Sequence, residues 1–161
     1  MRAKVSFLFF VLLSLLLTGF IFSNSLKPAG ESHNQSGRVV DLMRPILVPG
    51  IIHEETEEET EQTLSFVVRK AAHFIEFGAL GVCVGGAAAS LTVMRRRKYL
   101  KAPAMICVAV ACCDEFIQSF TGRTCSLKDV ALDSCGSICG LIFVACVVWL
   151  LNQKQGGKPY V

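Results

Sequence analysis

The sequence predicts an all-α integral membrane protein: a four-helix bundle with both termini cytoplasmic and a long extracytoplasmic loop between its first two helices. Three observations carry this reading. Four apolar stretches approach the roughly 20 residues that a helix needs to cross hydrocarbon. Lys and Arg gather in alternate connections, as the bias toward positive cytoplasmic loops requires. Spans two to four carry their acidic residues near one end, and those ends fall on the same side.

The first span covers residues 5–22 and follows Arg2 and Lys4, the form of a signal peptide or signal anchor. It is longer than a usual signal core, and Phe22-Ser23-Asn24-Ser25 offers no A-x-A cleavage site, so it reads as a retained helix. An outer loop covers 23–65. Within it, Val39, Val40, Leu42, Met43, Ile46 and Leu47 are spaced as an amphipathic segment on the membrane surface, broken by Pro49-Gly50. Glu54, Glu55, Glu57, Glu58, Glu59 and Glu61 then form an acidic run. It suits the positive N-terminal end of the coming helix; the competing reading is a collector of cations or basic ligands.

The second span covers 71–94, with small residues from Gly85 to Ser90. A basic loop at 95–101 holds Arg95, Arg96, Arg97, Lys98 and Lys101. The third span covers 102–120, with Pro103 near its start, where a missing N–H costs little. The fourth covers 130–151 and is followed by Lys154 and Lys158. The basic segments before span one, between spans two and three, and after span four share a side and read as cytoplasmic. Residues 1–161 thus form one membrane domain in a multi-pass protein of the cell membrane.

Composition excludes other classes. The chain is 52% hydrophobic and 18% charged, against about 45–50% and 25% for a soluble domain. A net charge of +3 without an aromatic-interleaved basic patch excludes nucleic acid as a partner. Of eight cysteines, seven lie in apolar runs and only Cys125 in an expected loop. No C-x-x-C pair exists, which argues against structural zinc and thioredoxin-like chemistry. The cysteines read as small apolar packing residues.

The informative residues are the polar clusters. A charge at mid-membrane costs about 2.5–3.5 kcal/mol on insertion scales, so such groups face a protein interior and have partners or a task. Arg69, His73 and Glu76 share one face of the second helix. Glu115 and Gln118 share a face of the third, with Asp114 beside them. Ser126, Asp129, Asp133, Gly136 and Gly140 line one face of the fourth. The alternating topology puts all three groups in the outer-leaflet layer, with Arg69, Lys70 and Arg123 as countercharges. Ser126-x-x-Asp129 fits an acidic capping box, and Gly136-x-x-x-Gly140 permits close helix approach.

These residues support distinct chemistries. Arg69, Lys70 and Arg123 suit phosphate oxygens, with Gln118, Ser126 and Asp133 completing a ligand-binding set. His73 is a candidate general acid or base, oriented by Glu76 or Asp129, and Asp114 and Glu115 complete the catalytic candidates. No cofactor and no resident metal is assigned. The set Asp114, Glu115 and Asp133 could hold a divalent cation through oxygen, while the His-x-x-Glu spacing alone is weak evidence for metal.

Together these motifs resemble the VanZ-like family of small bacterial membrane proteins. The resemblance rests on Phe22-Ser23-Asn24-Ser25, Arg69-Lys70-Ala71-Ala72-His73-Phe74-Ile75-Glu76-Phe77 and Asp114-Glu115-Phe116-Ile117-Gln118-Ser119-Phe120, then Gly122-Arg123, Ser126, Asp129, Gly136 and Gly140. It covers most of the chain apart from the outer loop and the tail. The family often has Tyr where Phe77 stands and commonly Asn near Asp133, so this chain lacks that hydroxyl and carries an added acid. The family is named for a member linked to low-level teicoplanin resistance. The resemblance therefore implies a role in the cell envelope and in glycopeptide susceptibility; no catalytic assignment comes with it.

Three readings stay open. The polar layer binds or modifies an envelope component such as a phosphate-bearing lipid. Alternatively, it is a structural ion-pair network in a membrane scaffold, without a ligand. The third is a proton or ion pathway, which the absence of ionisable residues from the cytoplasmic half of each span disfavours.

Overall fold

The computed structural model describes residues 2–28, 37, 39–40, 57–91, 100–123 and 125–154. They form four helices: α1 (Arg2–Ser25), α2 (Glu57–Ser90), α3 (Lys101–Ser119) and α4 (Leu127–Lys154). No strand occurs among the described residues. Each helix holds a segment long and apolar enough to cross a membrane: Ala3–Ser25, Gln62–Ser90, Lys101–Ser119 and Leu127–Gln153.

Helices α1, α3 and α4 lie within three residues of their expected limits. Helix α2 differs. It begins at Glu57, so residues 57–65, expected in the outer loop, are helical instead. After Pro49-Gly50 the sequence has no further breaker to stop a helix from running through these residues. The helix ends at Ser90 rather than 94, with Leu91 in a turn. Most of the amphipathic segment, Pro49-Gly50, and Arg95, Arg96, Arg97 and Lys98 lie outside the described residues.

Helix α2 is central and touches the other three. It runs antiparallel to α1: Asn24 meets Glu76, and the Phe10 ring lies against Gly86. It runs parallel to α4: Lys70 meets Asp129, and Gly85 lies against Leu141 and Val144. The ends of α1 and α3 are joined by Ser25 and Gln118. The end of α3 is joined to the start of α4 by Glu115 and Ser126. All these polar links lie at one end of the bundle.

The α2–α4 seam is a glycine contact. A Cβ built on Gly136 would stand 2.5 Å from the Phe74 carbonyl oxygen. One on Gly140 would meet the Gly78 carbonyl, and one on Gly81 the Ser137 carbonyl. The backbones approach until only hydrogen fits between them, as Gly136-x-x-x-Gly140 predicts. Beside the seam, Ile21, Phe77, Leu80, Val84, Cys107 and Ala111 form the apolar core. Phe77 is fully buried there, where a tyrosine hydroxyl would need a partner.

The outer surface is apolar. Leu8, Phe9, Leu12, Leu15 and Leu16 on α1, and Ile142, Phe143 and Trp149 on α4, are all exposed. Soluble monomers rarely expose continuous apolar surface on this scale; lipid chains would cover it. Cys83 and Cys107 are buried, but Cys112, Cys113, Cys125, Cys135, Cys139 and Cys146 face outward. The packing role expected of the cysteines thus holds for two of them. The others sit on helix faces turned away from the bundle or, for Cys125, in the α3–α4 connection.

Candidate functional site

The polar end is built from local rules first. Helix α3 stops with backbone turns from Phe120 to Ile117 and from Thr121 to Gln118. Gly122 then adopts φ of 77°, a conformation open to glycine without steric penalty. That turn brings Arg123 back over the bundle and delivers Ser126 to the start of α4. The Ser126 hydroxyl accepts from the Lys128 N–H at 3.3 Å. The expected capping box is only half formed. The Ser126 N–H donates to Glu115 on α3 at 2.9 Å, and Asp129, the expected partner, pairs with Lys70 on α2. A carboxylate from another helix completes the cap and ties α3 to α4.

Below this turn lies a cavity of about 310 Å³. Arg69, Lys70, His73, Glu115, Gln118, Arg123, Asp129 and Asp133 line it, with Phe66, Gly122 and Leu132. Asp114 lies behind the wall, fully buried. Its Oδ2 accepts from the Gln118 amide at 2.7 Å and stands 4.0 Å from Nδ1 of His73. The same amide also reaches the Ser25 hydroxyl at 3.3 Å. Three separated segments thus meet around one space.

The charges in this space are unevenly paired. Lys70 is bound by Asp129, each about one-quarter exposed. Arg69 and Arg123 have no carboxylate within 4.0 Å among the described residues. Arg69 stacks 6.0 Å from the Phe66 ring centre, and Lys70 lies 5.3 Å from it. The Nε of Arg123 is buried without a hydrogen-bond partner. Burial pushes the Arg123 pKa down from its ordinary value, and the charge of Arg69 pushes it further, against the attraction of Asp114 and Glu115. Arginine stays protonated regardless, so two like charges face one cavity.

Of the sequence-derived candidates, Glu76 stands apart. It accepts from Asn24 at 3.4 Å, deeper than the cavity, and does not orient His73; the nearest acid to His73 is Asp114. Ser126 caps α4 and serves the cavity indirectly. Sequence reasoning gave no site role to Phe66, Asn24 or Ser25. The last two were signalled by the polar residues that end the first apolar run, and their roles depend on where α1 finishes against α2 and α3.

Four span-capable helices, an apolar outer surface and a charged cavity at one end define a small multi-pass membrane protein. The chain belongs to the VanZ/LLP1 family, whose model matches residues 10–150. No curated protein and no solved structure matches it.

Proposed function

We propose that this VanZ/LLP1-family protein sits in the bacterial cell membrane with both termini cytoplasmic, and that its cavity opens at the outer leaflet. There it binds the phosphate-bearing head group of an envelope lipid or lipid-linked precursor, and through that ligand it affects glycopeptide (teicoplanin) susceptibility. The orientation rests on the basic segments of the sequence. The single observation that carries the ligand is the pair of guanidiniums, Arg69 and Arg123, facing one cavity without carboxylate partners among the described residues. Guanidinium forks match phosphate oxygens two at a time, and the bonds strengthen where water is scarce.

A purely structural network would pair its charges, because pairing is what makes a charge tolerable at such depth. Lys70–Asp129 and Glu115–Ser126 do fasten helices together. Arg69 and Arg123 take no part in either bond. The test is mass spectrometry of lipids that co-purify with the full chain. Enrichment of a phosphate-bearing lipid, lost in R69Q/R123Q at normal membrane abundance, is expected. Equal lipid content in both proteins sinks the proposal. Teicoplanin susceptibility measured alongside abundance tests the link to glycopeptides.

A further inference from the structure

One turn deeper than the arginines lies a second group of different chemistry. His73 from α2, Asp114 from α3 and Asp133 from α4 each offer a ligand atom, all within 4.8 Å of one another. Three separate helices converge there, so the cluster is not an accident of one helix face. Asp114 and Asp133 are almost completely buried, at 0% and 2% exposed.

The hydrogen bonding of the cluster is incomplete. Asp114 Oδ1 has no partner, although Oδ2 is held by Gln118. His73 Nδ1 is buried without a partner as well. Apart from His73 itself, neither aspartate has a cation within 4.0 Å among the described residues, and the lysine of this wall is occupied by Asp129. A buried acceptor left without a partner is destabilising, the more so when it is charged. Asp114 Oδ1 and His73 Nδ1, both buried and unpartnered, lack a positive centre that accepts their lone pairs.

We infer that His73, Asp114 and Asp133 form a binding site for one divalent metal ion of the Mn²⁺ or Zn²⁺ type. One nitrogen and two carboxylate oxygens suit such ions. Three protein ligands leave coordination positions free, and both His73 and Asp133 line the cavity, so those positions face the space below the arginines. The ion neutralises the two buried carboxylates and satisfies Asp114 Oδ1. Gln118, bonded to the other oxygen of Asp114, fixes the orientation of that ligand. The set differs from the oxygen-only trio of the sequence. Glu115 is committed to the N–H of Ser126, and His73 takes its place.

The site does not depend on the head-group reading and is tested without phospholipid. The full chain, tag-free, purified in phosphate-free detergent and stripped with chelator, is titrated with Mn²⁺. Mn²⁺ is the probe because the eight cysteines would compete for softer ions. The expected results are one Mn²⁺ per chain, and electron spin-echo modulation from one imidazole nitrogen. The chain has three histidines, His33, His53 and His73. In H33Q/H53Q the nitrogen signal must therefore persist from His73 alone. H73Q abolishes it, and D133N weakens Mn²⁺ at least tenfold. Absence of stoichiometric Mn²⁺, loss of the nitrogen signal in H33Q/H53Q, or unchanged binding in a folded D133N overturns the site. If D133N does not fold, the spectrum of H33Q/H53Q still decides.

Discussion

Replacing Gly136 with alanine drives a methyl group into the backbone of the neighbouring helix. The added Cβ would stand 2.5 Å from the Phe74 carbonyl oxygen and 3.3 Å from Phe74 C and Cα. That is about 0.9 Å inside the 3.4 Å at which ordinary contact begins. A side chain in the way could rotate; a carbonyl in mid-helix cannot, because it is committed to its own helical bond. Relief must come from moving α2 and α4 apart by up to about 1 Å. Gaps of 0.5–1 Å forfeit roughly a quarter to a half of each pairwise dispersion contact, and overpacked cores lose about 1–3 kcal/mol. Alanine returns up to about 1 kcal/mol through its better helix propensity.

The expected net loss for G136A is therefore about 1–2 kcal/mol, a shift of roughly 5- to 30-fold in the folding equilibrium. The assay is denaturant unfolding of the purified protein in detergent, with G19A as the internal control. Gly19 on α1 has nothing within 4 Å of an added Cβ, so the same substitution there should be neutral or mildly stabilising. If G136A unfolds at the same denaturant concentration as the parent, or if G19A is equally damaging, the glycine-seam reasoning is refuted.

K70M should cost about 1–3 kcal/mol by stranding Asp129. K70M/D129L should recover part of that loss, which a double-mutant cycle reads directly. R123Q removes a cation that has no ion pair among the described residues and is pressed by Arg69, so the melting temperature should hold or rise while phospholipid retention falls about tenfold. Q118L should destabilise by about 1–3 kcal/mol, through the lost bonds to Asp114 and Ser25. Cys125, exposed in the α3–α4 connection, should react in whole cells with a membrane-impermeant maleimide in a background where it is the sole cysteine. R97C as the sole cysteine, with Cys125 also replaced, should not, and the reverse pattern would invert the proposed orientation.

The helices were legible because their apolar runs are long and their breakers few. Pro103 at the start of α3 and the glycines of α4 kept the meaning that spacing assigned them. The start of α2 was not legible, because an acidic run reads equally as solvated loop or as first turn until a helix is seen to begin at Glu57. The convergence of α2, α3 and α4 at one end followed from their alternating direction. Partner choice did not follow: helical phase says which residues share a face, while bonding depends on distances between faces. Asp129 was spaced to cap its own helix yet pairs with Lys70, and Glu115 takes the vacated N–H. Asn24 and Ser25 were hidden for the same reason, since each bonds across more than 50 residues of sequence.

The depth of each charge orders what remains. At 1.5 Å per residue, His73 lies about one turn below Arg69 and Lys70 on α2. Asp133 lies about one turn below Asp129 on α4, and Asp114 one turn below Gln118 on α3. The upper level, with Arg123 from the connection, holds the permanent cations of the cavity and Asp129; the lower level holds an imidazole and the acids Asp114, Asp133 and Glu115, the last bonded to the Ser126 N–H. Had the protein needed only to neutralise itself, the same side chains could have been interleaved, each arginine against an aspartate. The helices instead hold them in separate layers, at an electrostatic cost that burial raises. A positive group in the lower layer and a negative one in the upper would relieve that cost. The proposed head-group phosphate, set above the proposed divalent cation, would supply both.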